Sequence, residues 1–376
     1  MERSPDRRYD LDALRVLAVL LLIPFHSARV FDIFDPFYVK NPETSEGLSW
    51  AVVAFLNPWH MPLLFVLAGA ATWLALGHRS AKAYAGERTR RLLVPFLFGM
   101  LLVVPPQGYL ATRFRGDQGS VGSFLADYWT VEGDLSGYTG SFTPGHLWFI
   151  GFLFIFSLLV LPLFVRWRGR RLRARWLLVA MPPILLAANE LPAPNDGPQN
   201  PFYSLALFVA GYLLLADEDA ERAVHRHWRP LLAAAAATML VVWSSGIDDG
   251  WRDGSPLDIG FSLLEQANTW IWVLALLGAG RALLSRPLPG LAYASEASFP
   301  FYVLHQTVIV AVAYVVVGWE LAVWQSFAVV ALAGFALSLA AYEVLVRRTD
   351  PTRFLFGMRP RRRPTIPRST ATAGAR

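Results

Sequence analysis

The chain contains ten long apolar segments, and this feature restricts its fold more than any other. They lie at residues 11–28, 50–76, 92–111, 146–165, 176–188, 202–216, 230–245, 258–279, 299–317 and 320–346. A helix needs about 20 mainly apolar residues to cross a bilayer. The runs are continuous rather than alternating, which favours helices over a membrane barrel. The sequence therefore predicts an all-α integral membrane protein with about ten transmembrane helices in one bundle.

The composition excludes several other classes of protein. Hydrophobic residues make up 55% of the chain and charged residues only 16%, whereas a soluble domain has roughly a quarter charged residues. The chain has no cysteine, which excludes disulfides, thiolate metal sites and a cysteine nucleophile. No histidine–carboxylate set has the spacing of metal ligands, so no metal site is predicted. The first apolar segment lacks a small-residue cleavage site and is interpreted as a retained helix.

The distribution of Lys and Arg predicts the orientation. If the N-terminus is cytoplasmic, the cytoplasmic loops and tails hold 28 of these residues and the external loops hold 5. By the positive-inside rule, both termini are then cytoplasmic. The predicted division is a cytoplasmic segment at 1–10, a transmembrane domain at 11–346 and a basic, disordered tail at 347–376. The net charge of +6 thus suits a lipid bilayer as the partner, with no nucleic acid.

Two ionisable residues lie within the first apolar segment, and such residues are candidates for function. Arg15 and His26 are eleven residues apart, which places both on one helix face with an axial separation of about 16 Å. One interpretation is structural, with Arg15 reaching the interface beside Asp12 and His26 capping the helix near Pro24. The other is chemical, because a neutral imidazole can accept a proton and a guanidinium can bind an anion.

Five segments resemble the motifs of acyltransferase family three, a family of membrane O-acyltransferases, and most closely its glucan succinyltransferase-like branch. In chain order they are DALR at 12–15 followed by His26, HMPLLFVLAG at 60–69, RTRRLLVP at 88–95, HLWF at 146–149 and SFPFYVLH at 298–305. Ala68 departs from the family pattern, which has serine there, and a hydroxyl role at this position is in doubt. The motifs extend from about residue 9 to residue 310, and their order is the specific signal.

The resemblance implies an activity and a setting. Members of the family transfer an acyl group from cytoplasmic acyl-CoA to a hydroxyl of an extracytoplasmic glycan or, in some cases, a small molecule. They need no permanently bound cofactor and lie in the cytoplasmic (inner) membrane of bacteria. Some members carry a fused extracytoplasmic hydrolase-like domain. Since about 30 residues follow the last predicted span here, a separate extracytoplasmic partner protein is an alternative to action alone.

The resemblance also assigns residues to the reaction. His26 is the expected general base, in direct transfer or, less well supported, as an acyl-histidine. Arg15 either holds the phosphates of coenzyme A or polarises the thioester carbonyl. Arg88 and Arg91 begin a helix and either bind the cofactor phosphates or serve only the positive-inside rule. The further candidates for polar contacts in the pore are Asp12, His60, His146, Trp148, Ser298, Tyr302 and His305.

Two other functions remain open at this point. A proton-coupled transporter for an anion or small molecule would use Arg15 and His26 as an anion site and a proton relay. A scaffold protein would tolerate the loss of His26. Acetyl and succinyl are the leading acyl groups, and the acceptor is open among glucan, capsule, lipopolysaccharide, peptidoglycan and secreted small molecules.

Overall fold

The structure is a computed structural model that describes residues 7–130, 137–170, 172–245 and 254–361. Its regular secondary structure in these ranges is entirely helical, which confirms the all-α part of the predicted fold class. The N-terminal half contains the helices α1 (Tyr9–Ala28), α2 (Glu46–Leu48), α3 (His60–His78), α4 (Ala81–Arg88), α5 (Val94–Phe98), α6 (Pro105–Phe114), α7 (Val121–Asp127), α8 (Trp148–Leu159) and α9 (Leu161–Trp167).

The C-terminal half contains the remaining helices. They are α10 (Leu177–Asn189), α11 (Pro201–Ala216), α12 (Glu218–Arg226), α13 (Trp228–Ser244), α14 (Pro256–Leu283), α15 (Leu291–Val316), α16 (Val323–Ala341) and α17 (Asp350–Leu355). Side chains cap several of these helices. Asn200, for example, accepts hydrogen bonds from the backbone N–H groups of Phe202 and Tyr203 at the start of α11, which satisfies donors that have no partner within the helix.

Five helices in the described part of the chain are long and apolar enough to cross a membrane. They lie at Tyr9–Ala28, His60–His78, Ala81–Phe114, Leu291–Val316 and Val323–Val346, and the count rises to seven if two bent pairs each form one span. The bent pairs are α8 with α9, at 53°, and α11 with α12, at 94°. Two more predicted spans fall on the shorter apolar helices α10 and α13, and 258–279 falls on α14. The structure therefore supports five to seven spans, and ten remains a prediction.

The predicted span 50–76 is wrong as a single helix. A π-helical stretch at Ser49–Ala54 continues α2, and the chain then turns at 57–59 before α3 begins at His60. Pro58 explains the break, because its ring disfavours the helical conformation in the preceding Asn57. The break lets α3 start at a different angle and places His60 in its first turn.

Helix α1 lies at the centre of the bundle and packs against α3, α14, α15 and α16. Helices α3 and α11 form another close pair, and glycines make their approach feasible. A Cβ atom at Gly69 would lie 1.9 Å from the carbonyl oxygen of Phe208, and one at Gly211 would lie 2.0 Å from that of Val66. Small residues at such crossings allow helix backbones to meet in an apolar environment.

The first part of the predicted disordered tail is folded. Residues 350–355 form α17, and Arg353, which is buried, donates to Glu296 at 2.8 Å and to the carbonyl of Arg359 at 2.7 Å. Phe356 packs on Phe98 with ring centroids 5.3 Å apart. These apolar and ionic contacts offset the cost of ordering the segment, so the expected disorder is wrong for residues 350–361. Residues 362–376 of the tail, and residues 1–6 of the N-terminal segment, lie outside the described residues.

Candidate active site

Helix α1 turns both Arg15 and His26 toward α15. The Arg15 Nη2 group donates to the Oγ atom of Ser295 at 2.7 Å, and the His26 ring lies 5.1 Å from that of His305, centroid to centroid. The two contacts confirm that Arg15 and His26 share one face of α1. They also show that α1 and α15 run parallel, since residue numbers increase in the same direction along both helices.

Three imidazoles meet near the C-terminal end of α1. The His305 ring centroid lies 5.1 Å from His26 on one side and 5.1 Å from His146 on the other. His305 and His146 are buried, whereas the His26 side chain is half-buried. The sequence analysis identified each of the three histidines as an individual candidate. In the fold they form one row, contributed by α1, α15 and the 3₁₀ turn before α8. His26 is the least buried member of the row.

Backbone carbonyls define the tautomers of the two buried rings, because a carbonyl oxygen can only accept a hydrogen bond. The Nδ1–H of His305 donates to the Tyr302 carbonyl at 2.6 Å. The Nε2–H of His146 donates to the Val303 carbonyl at 2.9 Å, and its Nδ1 accepts from the Gln107 amide at 3.4 Å. Tyr302 donates its hydroxyl to the His146 carbonyl. The orientation of both rings is therefore set by carbonyls of α15, and for a neutral ring these bonds also set the tautomer.

Three polar residues beside the histidines were missed by the sequence analysis. The Gln306 amide donates to Gln107 at 3.1 Å, and the Gln107 amide donates to the Thr307 hydroxyl at 2.7 Å. Gln107 and Gln306 are buried, and buried amides of this kind usually mark a polar path through an apolar bundle. Their polarity within apolar segments could have identified them from the sequence. Gln107 lies in the third predicted span, and Gln306 and Thr307 directly follow His305.

Three predicted pore residues lie outside the imidazole row and have structural contacts. The His60 Nε2–H group donates to the Ala18 carbonyl at 2.6 Å. The Ser298 hydroxyl donates to the carbonyl of Ser295, three residues earlier, at 3.1 Å. Trp148 packs in an edge-to-face arrangement on Phe152. Each of these side chains therefore makes a contact within its own helix or with a neighbouring helix.

A charged loop covers the C-terminal end of α1. The Asp32 carboxylate is fully buried and accepts from the Lys40 ammonium at 2.8 Å, while Arg29 pairs with it at 3.0 Å. Burial lowers the pKa of Lys40, and its hydrogen bond to Asp32 offsets only part of this effect. Phe37 from the same loop stacks on the His26 ring at 6.2 Å. The ion pairs thus hold an aromatic side chain over the candidate base.

Arg15 lies in a more exposed setting at the other end of this face. Its side chain is 42% exposed, and its guanidinium also contacts the Asp12 carboxylate at 3.0 Å. Asp12 accepts a second hydrogen bond from Arg7 at 2.9 Å. Asp12 therefore orients Arg15 toward α15 and leaves part of the guanidinium open to solvent. This arrangement suits an anion that approaches from the N-terminal end of α1.

The basic motif at 88–91 lies inside the continuous helix Ala81–Phe114, so the prediction that it begins a helix is wrong, and Arg88 is anchored by α3 and by its own helix. The Arg88 guanidinium donates to the Thr72 hydroxyl at 3.2 Å and lies 4.9 Å from the centre of the Tyr84 ring. Arg91 pairs with Glu87 at 3.2 Å, with 44% of its side chain exposed. Arg359 from the folded tail lies within electrostatic range of Arg91. Arg359 was not among the candidates from the sequence, because the tail was expected to be disordered.

A separate open crevice lies at the N-terminal end of α1. Its lining is largely apolar, with Val66 and Leu277 among the residues, and it also includes Arg8, Glu221 and Arg281. Arg8 and Glu221 form an ion pair at 2.8 Å. None of the predicted site residues lines it. Elsewhere in the described ranges, no three His, Asp or Glu side chains are grouped to hold a metal ion.

The comparisons with known proteins agree with the motifs. Glucans biosynthesis protein C of Escherichia coli strain K12, and the protein of that name from Escherichia coli O1:K1 / APEC, are each 27% identical to the chain over 165 residues. The match covers 43% of the chain and only 40% of the length of these relatives. No solved structure matches the chain.

A family model gives the broader match. It is described as an acyltransferase domain, that of acyltransferase family three, and it matches residues 8–343. This range begins just before α1, includes Arg15, His26 and the whole imidazole row, and ends just after α16. Because the match covers nearly all of the helices described above, the chain belongs to acyltransferase family three.

Proposed function

We propose that the protein is a membrane O-acyltransferase that moves an acetyl or succinyl group from cytoplasmic acyl-CoA to an extracytoplasmic hydroxyl. The observation that carries this proposal is the half-buried His26 imidazole, which belongs to a row of three histidines and shares a helix face with Arg15. Membership of the acyltransferase family supports the reaction class. The name of the relatives, glucans biosynthesis protein C, favours a glycan as the acceptor.

In the proposed reaction, His26 is the only group that takes up and returns a proton. The hydroxyl oxygen of the acceptor attacks the thioester carbonyl carbon, and its proton passes to a His26 ring nitrogen. The tetrahedral intermediate carries a negative charge on oxygen, which a cation or hydrogen-bond donor stabilises. Its collapse breaks the carbon–sulfur bond, and the departing thiolate takes the proton back from His26. The products are the acyl ester and free coenzyme A.

The arginines supply the charge that a polyanionic donor requires. Arg88, Arg91 and Arg359 lie at one end of the bundle, where Glu87 is the neighbouring acid. We assign the binding of the coenzyme A phosphates to this group. Arg15 has two roles open to it, a further phosphate contact or a contact to the thioester carbonyl, and its partial exposure is compatible with both.

The proposed topology has ten spans, with both termini in the cytoplasm of a bacterium and the bundle in its inner membrane. The parallel run of α1 and α15 supports this count. These helices correspond to the first and ninth predicted spans, and two odd-numbered spans must cross the membrane in the same direction. The charge distribution supports the orientation.

The test is release of free coenzyme A from acetyl-CoA and succinyl-CoA by the purified protein with a glucan oligosaccharide present. His26→Ala is compared with wild type, and His227→Ala, an exposed histidine on a loop, is the matched control. Release that disappears only in His26→Ala supports the proposal and identifies the acyl group. Equal release by His26→Ala and wild type contradicts it. Solute flux into proteoliposomes without release would favour the transporter instead.

A further inference from the structure

Two ring nitrogens in the imidazole row have no hydrogen-bond partner among the described residues. They are Nδ1 of His26 and Nε2 of His305, and both are shielded from solvent. The two rings are neighbours, with centroids 5.1 Å apart and planes inclined by 47°. A buried polar atom without a partner destabilises the fold, because it has lost its hydrogen bonds to water. Two such atoms on adjacent rings therefore call for a common explanation.

The chemistry of the two atoms is complementary. Because the Nδ1–H of His305 is committed to the Tyr302 carbonyl, Nε2 of a neutral His305 carries a lone pair and can only accept. His26 can meet this need by carrying its own proton on Nδ1. The two nitrogens are not hydrogen-bonded as the rings stand, but rings whose centroids are 5.1 Å apart can turn to bring them to about 3 Å, since ring nitrogens lie on the perimeter.

The other titratable groups around His26 are already paired. His60 donates to Ala18, His146 donates to Val303 and accepts from Gln107, and the Tyr302 hydroxyl donates to the His146 carbonyl. Arg29 is held by Asp32, Asp35 and the Pro36 carbonyl. His305 Nε2 is thus an unpaired acceptor on the ring adjacent to His26.

We propose that His305 is a positioning residue that accepts the Nδ1–H of His26 and thereby keeps the lone pair of His26 on Nε2. This inference rests on the proposed function. When the acceptor hydroxyl gives its proton to His26 Nε2, the Nδ1–H bond to His305 spreads the positive charge over two rings. The thiolate of coenzyme A then removes the proton from Nε2, and both rings are neutral again. An oriented base of this kind is the general device for activating a hydroxyl.

Two substitutions at His305 separate this role from packing. The His305→Asn side chain is short, so its NH2 group can replace Nδ1–H against the Tyr302 carbonyl but its amide oxygen does not reach the position of Nε2. The His305→Gln side chain reaches further and places an amide oxygen near the position of Nε2. We expect kcat to fall about 10²-fold in His305→Asn with KM for acyl-CoA unchanged. His305→Gln should keep kcat within about tenfold of wild type.

The control is His227→Gln, which replaces an exposed histidine in the turn between α12 and α13. It should retain activity, because His227 is remote from the imidazole row. Equal losses in His305→Asn and His305→Gln, or a loss that appears only in KM, would overturn the positioning role. All variants are first checked for monodisperse elution in detergent.

A second readout does not depend on catalysis. Diethyl pyrocarbonate modifies an unprotonated imidazole nitrogen, and mass spectrometry of the peptide that contains His26 gives its rate of modification. If His305 positions His26, modification of His26 should be slower in His305→Asn than in wild type. In His305→Gln the rate of modification should return toward that of wild type. If this pattern holds without any acyl transfer, the histidine pair stands and the proposed function fails. If acyl transfer depends on His26 but neither readout distinguishes the two variants, the pair is refuted and the function stands.

Discussion

The crossing of α3 and α11 allows the packing of the bundle to be tested in isolation from its chemistry. Gly69→Ala and Gly211→Ala each add one methyl group at this crossing. The new Cβ atom would lie 1.9 Å from the Phe208 carbonyl oxygen in the first variant and 2.0 Å from the Val66 carbonyl oxygen in the second. Ordinary contact begins at 3.4 Å, so the helices would have to separate by about 1.4 to 1.5 Å.

The expected loss of stability depends on which atoms the new methyl group would meet. Both are backbone oxygens within helices, which cannot rotate away as the end of a flexible side chain can. Overpacking costs about 1–3 kcal/mol and occasionally more, and the rigid backbone places these two sites at the upper end. Alanine regains up to about 1 kcal/mol of helix propensity over glycine. A net loss of about 2 kcal/mol in the free energy of unfolding is therefore expected for each variant.

The control lies on the same helix. Gly77 belongs to α3, and a Cβ atom there would meet nothing within 4 Å. Gly77→Ala should therefore raise the free energy of unfolding by up to about 1 kcal/mol, through helix propensity alone. The assay is unfolding in mixed micelles by titration with sodium dodecyl sulfate, followed by helical circular dichroism. The double variant should lose less than the sum of the single losses, since the first methyl group already separates the helices.

Equal midpoints for Gly69→Ala, Gly211→Ala and Gly77→Ala would refute this account of the crossing. Full additivity in the double variant would also contradict it, because the two glycines would then act at independent sites rather than at one shared interface.

Three further predictions concern charged groups outside the imidazole row. Asp32→Asn leaves Arg29 and Lys40 without their buried counter-charge. It should lower the free energy of unfolding by about 3–5 kcal/mol. The control Glu43→Gln, at an exposed position, should leave the free energy of unfolding unchanged. Because burial lowers the pKa of Lys40 below 10.5, the folded protein binds fewer protons than the unfolded one in alkali. The free energy of unfolding should therefore rise as the pH approaches 10.5, and Lys40→Arg should abolish this rise. Arg88→Lys loses the planar contact with Tyr84 and Thr72 and should weaken acyl-CoA binding about tenfold in calorimetry.

Local features of the molecule were predictable because they depend on residues close together in the chain. The predicted span 11–28 corresponds to α1 at Tyr9–Ala28, since a continuous apolar run excludes other structures in a bilayer. The shared face of Arg15 and His26 follows from the helical repeat alone. Ordered motifs within the sequence were enough to recognise the family that the model match shows.

Other local expectations were wrong where a short-range signal was overlooked or a distant partner intervened. The turn before His60 follows from Pro58 and was available in the sequence. The order in residues 350–361 was not available, because it depends on Glu296 and Phe98, which are remote in the chain. Composition alone predicts disorder for such a basic segment, and contacts with the bundle reverse that preference.

The sequence by itself determined the helical class, the apolar segments and the individual histidines, all of which are set by local composition and periodicity. Only the tertiary structure decided that His26 lies beside His305 and that His305 lies beside His146. It also decided which nitrogens are already paired, through carbonyls of Tyr302 and Val303. The physical reason is that hydrogen-bond satisfaction depends on which helices are neighbours, and α1 and α15 are separated by more than 260 residues of chain.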